Sequence, residues 1–183
     1  VQAAVWLIEK SGELVEQYAG LIGEHYEKSQ QLAKAVEWYE RAGKHAQDVY
    51  VPKTAIDFYQ KALALLEDQS PENSKTSEMN QKRIKIYEGL GKVLFTSARL
   101  TEAVDTYTTL LTIATENQDV YAEVRSLTGL SKSQHEMSNF SASLDTIEKA
   151  ETIARALGKA AQKELVKALL QKSVILAIAL SDA

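Results

Sequence analysis

Few residues in this chain have the types and spacing that catalysis or metal binding requires. The sequence contains no Cys, and none of its three histidines, His25, His45 and His135, has another His three or four positions away on a shared helical face. Disulfides, thiolate nucleophiles and Cys-ligated metals are therefore excluded. The sequence predicts neither a metal site nor a cofactor.

The segment that most resembles a phosphate loop contains Gly89, Gly91 and Lys92. Phosphate loops join a strand to a helix and have a different spacing, whereas these residues lie in a helical pattern. Carboxylates are plentiful, but nothing in the sequence selects a facing pair that could divide acid and base roles. We therefore predict that the chain is not an enzyme.

The composition is typical of a folded protein. Of the 183 residues, 45% are hydrophobic and 25% are charged, which separates the chain from disordered sequences. A net charge of -4 disfavours nucleic acid and anionic membrane surfaces as partners, because both attract basic faces. The most apolar run, 174–180, is far shorter than the roughly 20 residues of a membrane span. With no leader pattern at Val1, we expect a cytoplasmic piece of a longer protein.

The elements that position any binding residue are predicted to be helices, because one stripe of small, aromatic and small residues recurs. Its members are four and then three positions apart, which places them on one side of a helix. Gly23 and Gly91 each lie twelve residues before a stripe, and we expect close helix packing to offset the cost of about 1 kcal/mol for an interior Gly. The stripes are Ala35, Tyr39, Ala42; Ala55, Tyr59, Ala62; Ala103, Tyr107, Leu110; and, more weakly, Ser143, Ile147, Ala150.

The stripes are separated by 20, 48 and 40 residues. The shortest step predicts a short helix over 43–51, followed by a helix that begins at Pro52 and runs to Glu67. The longest step contains a loop at 67–77, which holds Pro71 and several Ser and Asn residues. Turns are expected near 98–100, 116–118 and 138–140, and a last helix is expected from Gly158 to about Leu180.

These residues resemble the tetratricopeptide repeat, in which Gly and Tyr of a first helix precede Ala, an aromatic residue and Ala of a second. The likeness covers about 13–180, although Ser131 stands where the family has Gly and the closing Pro is missing. It implies an all-α fold, a right-handed superhelix of antiparallel helix pairs in one domain over 1–183. The implied repeats are about 13–43, 43–68, 78–116 and 119–157, with a partial repeat at 159–181. The residues that carry the likeness are Gly23, Tyr26, Ala35, Tyr39, Ala42, Ala55, Tyr59, Ala62, Gly91, Ala103, Tyr107 and Ala150.

The segment 13–66 is similar to the region that follows the nucleotide-binding module in STAND-type signalling ATPases. No ATPase motif is present, so this resemblance implies a sensor or inhibitory arm of a larger regulator. The repeat resemblance implies a protein-interaction scaffold whose first helices line a concave surface and bind a partner peptide or domain. By register with the stripes, that surface is expected to include Lys85, Glu88, Lys92, Arg125, Thr128, Lys132 and Lys172.

The basic members of this set predict an acidic segment as the partner, with a solvated Lys-rich face as the alternative. A second function stays open: a small-ligand sensor with a pocket around Tyr87, Phe95, Tyr107 and Tyr121, for which ordinary aromatic core is the competing explanation. The C-terminal helix also has little polar face and should be covered, either by a second copy in a homodimer or by residues beyond this sequence. Its apolar residues are Val174, Ile175, Leu176, Ile178 and Leu180.

Overall fold

A computed structural model describes residues 1–68 and 77–181, and each regular element in these ranges is a helix. The expected all-α class is thus confirmed for the described residues. Two 3₁₀ segments, Gly12–Tyr18 and Gly158–Ala161, precede α2 and α9. The α-helices are α1 (Gln2–Ser11), α2 (Ala19–Lys28), α3 (Leu32–Asp48), α4 (Pro52–Asp68), α5 (Ser77–Thr96), α6 (Leu100–Glu116), α7 (Val120–Glu136), α8 (Phe140–Ala156) and α9 (Gln162–Ser181).

Five pairs of consecutive helices are joined by one repeated three-residue turn. The middle residue of each turn has φ between 56° and 60°, in the left-handed region, at Gln30, Tyr50, Ala98, Gln118 and Ser138. The residue after it donates its N–H to the carbonyl five positions back, at 2.8–3.0 Å in all five turns. This is the Schellman arrangement, which satisfies carbonyls that a helix end would otherwise leave unpaired. A helix of 17 residues and a turn of three give a repeat of 20 residues on either side of 69–76.

The chain divides into two compact units, Val1–Val93 and Leu94–Ala183, and the division falls within α5. In the first unit, α2 packs on α3 and α3 packs on α4. In the second unit, α6 packs on α7, α7 on α8, and α8 on α9. The second unit has a core of Val124, Leu127, Ile147, Ile175 and four alanines, because the apolar stripes of consecutive helices meet.

The close helix packing expected at Gly23 is confirmed, and the same contact occurs at Gly43. A Cβ added at Gly23 would lie 2.8 Å from the Tyr39 ring, and one at Gly43 would lie 2.8 Å from the Tyr59 ring. In each pair the Tyr follows the Gly by sixteen residues, so one contact recurs at consecutive helix interfaces. The bare Gly backbone therefore accepts the aromatic ring of the next helix. The residues that carry the repeat resemblance are buried, as expected: Gly23, Tyr26, Ala35, Tyr39, Ala42, Ala55, Tyr59, Ala62, Gly91, Ala103, Tyr107 and Ala150.

The weak fourth stripe is stabilised differently. Ser131 and Ser143 occupy the positions that hold Gly and Ala at the α2–α3 and α3–α4 interfaces, and both are fully buried. The Ser131 hydroxyl donates to the Ser143 carbonyl at 2.9 Å, and the Ser143 hydroxyl donates to the Ser131 carbonyl at 2.7 Å. The departure from the family pattern at Ser131 is therefore accompanied by a hydrogen-bonded pair across α7 and α8.

The prediction of a separate short helix over 43–51 is wrong. Helix α3 continues through Gly43 to Asp48, because Gly43 is needed as the contact for Tyr59 and does not end the helix. The repeat boundary at 43 therefore falls inside α3. The helix that begins at Pro52, the turns near 98, 118 and 138, and the last helix are confirmed to within a few residues. The loop predicted at 67–77 lies, over 69–76, outside the described residues.

Candidate functional site

The residues predicted to face a partner fall into both units. Lys85, Glu88 and Lys92 lie on one side of α5 in the first unit, and Lys85 and Lys92 are exposed. The other four lie in the second unit: Arg125 and Lys132 on α7 and Lys172 on α9 are half-buried, and Thr128 on α7 is buried. Each unit therefore has its own part of the predicted row.

The α5 part of the row lies near carboxylates of α3. Lys82 contacts Glu37 at 2.8 Å and Glu78 at 3.2 Å, and the hydrogen bond to Glu37 raises the pKa of Lys82. Burial raises the pKa of Glu40 above its usual value, against the opposing attraction of Lys85 and Lys82. Part of the positive charge of α5 is therefore compensated inside the first unit.

Lys172 does not extend a row of uncompensated cations. Its Nζ lies 3.0 Å from a carboxylate oxygen of Glu148 and 3.0 Å from one of Glu151, both on α8. Glu151 also accepts a hydrogen bond from Arg155 at 2.8 Å. The hydrogen bonds from Lys172 and Arg155 lower the pKa of Glu151. Lys172 therefore links α9 to α8, and a partner would have to displace two carboxylates to reach its charge.

On α7, Arg125 and Lys132 lie on one side of the helix, seven residues apart. Thr128, expected at the surface between them, is only 7% exposed. Its hydroxyl donates to the Val124 carbonyl at 2.8 Å, which satisfies the buried polar group within the helix. The expectation that Thr128 faces a partner is wrong, because the apolar packing of α7 extends further around the helix than the stripe register predicts.

The second unit has an open groove of about 720 Å³ where α6 and α8 lie on either side of α7. We call it the α7 groove. Leu111, Leu127 and Ile153 form its apolar floor, and Glu123, Asp145, Glu148 and Lys149 add charges at its rim. An apolar floor with a few polar groups at the edge is typical of surfaces that bind ligands or peptides.

The α7 groove is on the opposite side of α7 from Arg125. Arg125 is two residues from both Glu123 and Leu127, which at 3.6 residues per turn is roughly 200° around the helix. Sequence reasoning missed the groove because its floor residues lie outside the stripes. The available signal was the apolar Leu111 and Ile153 at half-buried helix positions that the repeat pattern does not use.

The aromatic set of the alternative ligand-sensor hypothesis is not brought together within one unit. Tyr87 belongs to the first unit, and Phe95, Tyr107 and Tyr121 belong to the second. The Tyr107 ring packs directly on Gly129, and Tyr121 is exposed. Tyr107 therefore has the packing of a core residue, which was the competing explanation.

No group of three or more His, Asp or Glu side chains in the described ranges could hold a metal ion. The His135 ring instead meets the Phe140 ring edge-on, with 5.5 Å between centroids. None of the helices, over the residues described, combines the length and apolarity needed to cross a bilayer.

A comparison of the sequence with protein-family models finds no match, and a search among curated proteins finds none either. The tetratricopeptide-repeat and STAND resemblances therefore stay predictions.

Proposed function

We propose that this chain is a protein-interaction module that binds a segment of a partner on its helical surface, as part of a larger signalling or regulatory protein. The observation that carries the proposal is the α7 groove, whose apolar floor lies open between three helices. Its walls belong to α6, α7 and α8, and α7 packs on both of the other helices. A surface formed before binding spares the partner part of the ordering cost.

The proposal includes the architecture that the repeat resemblance implies, a right-handed superhelix whose first helices line a concave side. Lys85, Glu88, Lys92, Arg125 and Lys132 are the proposed contacts there, for an acidic segment. Lys172 is the weakest member, because Glu148 and Glu151 already neutralise it. Arg125 and Lys132 lie on a different side of α7 from the groove, whereas Lys172 binds Glu148 at the groove rim. Substitutions of row members other than Lys172 can therefore separate the two surfaces.

The test is affinity capture from lysate with variants that alter one surface at a time. Thr152 and Thr109 are both exposed, and both donate a hydroxyl to the carbonyl four residues back, but of these two only Thr152 lines the groove. We expect Thr152→Arg to release the captured partner and Thr109→Arg to retain it. Quantitative mass spectrometry of the bound fraction measures both.

A second variant, which combines Lys92→Glu with Lys132→Glu, alters the row of cations in the same capture experiment. Loss of the partner in this variant alone would assign binding to the row of cations and not to the groove. Retention of every captured protein by all variants would overturn the proposed function at both surfaces. Far-ultraviolet circular dichroism of each variant checks that the helices are intact.

A further inference from the structure

We propose that the α7 groove takes a basic segment of the partner, in which an aliphatic side chain is flanked by Lys or Arg. The proposal rests on the proposed function, and it adds the chemistry of the segment that the groove binds. Two features of the groove carry it: the sign of the charge at the rim, and the position of that charge on either side of the apolar floor.

The rim of the α7 groove has more negative than positive charge. Among the described residues that line it, Glu123, Asp145 and Glu148 contribute three carboxylates, and Lys149 contributes one ammonium group. Glu148 is neutralised from outside the groove by Lys172, whose Nζ lies 3.0 Å from its carboxylate. The other two carboxylates therefore determine which charge the groove attracts.

Glu123 and Asp145 have no cation of their own. The Glu123 carboxylate accepts a hydrogen bond from the Thr115 hydroxyl at 3.3 Å, and this donor is uncharged. Asp145 is exposed, and neither carboxylate forms an ion pair within the part of the chain that the structure describes. Charges that the protein does not compensate attract groups of opposite sign, which favours basic side chains in the bound segment.

The two carboxylates lie at different levels along the groove. Helices α7 and α8 are joined by a tight turn and run antiparallel, and the hydrogen-bonded pair of Ser131 and Ser143 defines their register. Glu123 is eight residues before Ser131, so it is level with the position eight residues after Ser143. That position is six residues beyond Asp145, which corresponds to roughly 9 Å along the helix axis.

The apolar floor lies between these charges. Leu127 is four residues before Ser131, so by the same register it is at a level between the two carboxylates. Leu111 and Ile153 are half-buried and pack against the core of the second unit, so the floor is held in place while part of it stays accessible. An aliphatic side chain can bury its surface on this floor, and basic side chains on either side of it can reach the carboxylates.

Lys149 opposes a basic segment and therefore offers a test. Its side chain is exposed, and it has no ion pair within the described ranges. A long flexible side chain of this kind can turn toward solvent when a segment binds, but its charge still repels a basic one. Removal of the Lys149 charge should therefore strengthen binding.

An acidic segment would meet the opposite situation in the α7 groove, because the carboxylates of Glu123 and Asp145 would repel it. Such a segment is instead proposed for the row of cations, which includes Arg125 and Lys132 on the other side of α7. The two sides of this helix therefore favour partner segments of opposite charge.

The experiment selects peptides from a random phage-displayed library on the full chain, and tests each enriched peptide against Thr152→Trp. This variant blocks the groove with an uncharged side chain, so loss of binding does not depend on the charge of the peptide. Thr109→Trp is its control outside the groove. We expect the peptides that Thr152→Trp releases to share an aliphatic residue flanked by Lys or Arg, and their Kd to rise with salt.

Charge variants then test the rim, with Kd measured by fluorescence polarisation. We expect Asp145→Asn to raise the Kd about two- to fivefold, the range for an exposed ion pair, and its combination with Glu123→Gln to raise it about tenfold. Lys149→Gln should lower the Kd by about two- to fivefold. Asp105→Asn is the matched control, because Asp105 is exposed at the equivalent position of α6, forty residues earlier, and does not line the groove.

Failure of this proposal is distinguishable from failure of the proposed function. Uncharged or acidic peptides that Thr152→Trp releases would overturn the basic segment and leave the groove as a binding surface. An unchanged Kd in the variant that combines Asp145→Asn with Glu123→Gln would do the same. If Thr152→Trp releases no peptide, both proposals are overturned at this groove. Self-association that Thr152→Trp removes would assign the groove to a second copy, and would overturn the basic segment.

Discussion

At the scale of single residues, packing against bare backbone decides which positions tolerate change. Gly43 lies in the middle of α3, where Ala would normally be preferred by about 1 kcal/mol. The Tyr59 ring occupies the space that a Cβ would need, and its nearest atoms are close to the α4 backbone and cannot move away easily. Steric conflict therefore outweighs helix propensity at this position.

We expect Gly43→Ala to lower the free energy of unfolding by about 1–3 kcal/mol, the range for an overpacked core. Urea unfolding followed by circular dichroism measures it. Lys44→Ala is the matched control, because Lys44 is the next residue on α3 with a side chain that is 70% exposed. A gain of stability in Gly43→Ala would contradict the packing account.

At the scale of elements, the contact between α8 and α9 combines an alanine-rich core with one ion cluster. Ala150 and Ala154 of α8 and Ala168 of α9 are fully buried, as is Ala161 of the 3₁₀ segment between them, so the two helices approach closely. At the edge of this contact Lys172 binds Glu148 and Glu151. The pKa of Glu151 is lowered by these partners, so its ionised form is favoured in the folded state.

Because the pKa of Glu151 is lowered, the contribution of this carboxylate to the stability of the fold depends on pH. A carboxylate with a lowered pKa stabilises the fold above its ordinary value of about 4.3, and this stabilisation is lost as the pH falls through the lowered pKa. We expect Glu151→Gln to lower the melting temperature at neutral pH, and the difference from the wild type to shrink below about pH 4. Thermal unfolding at several pH values measures it.

Lys167→Met is the control for the ion pair of Lys172 with Glu151. Lys167 is exposed on α9, the helix that carries Lys172, and has no ion pair among the described residues. Its effect should be small at all these pH values. A Glu151→Gln variant as stable as the wild type at neutral pH would show that the cluster contributes nothing to the α8–α9 contact.

At the scale of the whole molecule, α9 has apolar residues on two sides. Ala168 and Ile175 face the core of the second unit. Val166, Leu170 and Val174 are exposed on another side, and Leu170 is 62% exposed. The expectation that this helix needs a cover is consistent with that exposure, although Ile178 and Leu180 have side chains outside the described set.

We expect the chain to self-associate through this side of α9, with a sedimentation coefficient that rises with concentration. Leu170→Lys should remove the concentration dependence by placing a charge within the contact. Leu14→Lys is the control, since Leu14 is similarly exposed in the first unit. A wild-type chain that sediments as a monomer at every concentration would contradict the homodimer prediction.

The sequence predicted most of the helices because the stripes repeat at a helical spacing. It failed at 43–51, since Gly was interpreted as the end of an element, whereas in the structure it receives a ring from the next helix. It also predicted Thr128 as exposed and Lys172 as available. Both errors concern which side of a helix its neighbours cover, and local spacing does not contain that information.

The sequence by itself determined the all-helical class, the turns near 98, 118 and 138, and the buried stripes, because these depend on periodicity and on residue types within a few positions. Only the tertiary structure decided which carboxylates neutralise Lys172 and where Leu111, Leu127 and Ile153 meet. These features join residues that are distant along the chain. They exist only after helices have packed, because burial and charge compensation are properties of neighbouring surfaces.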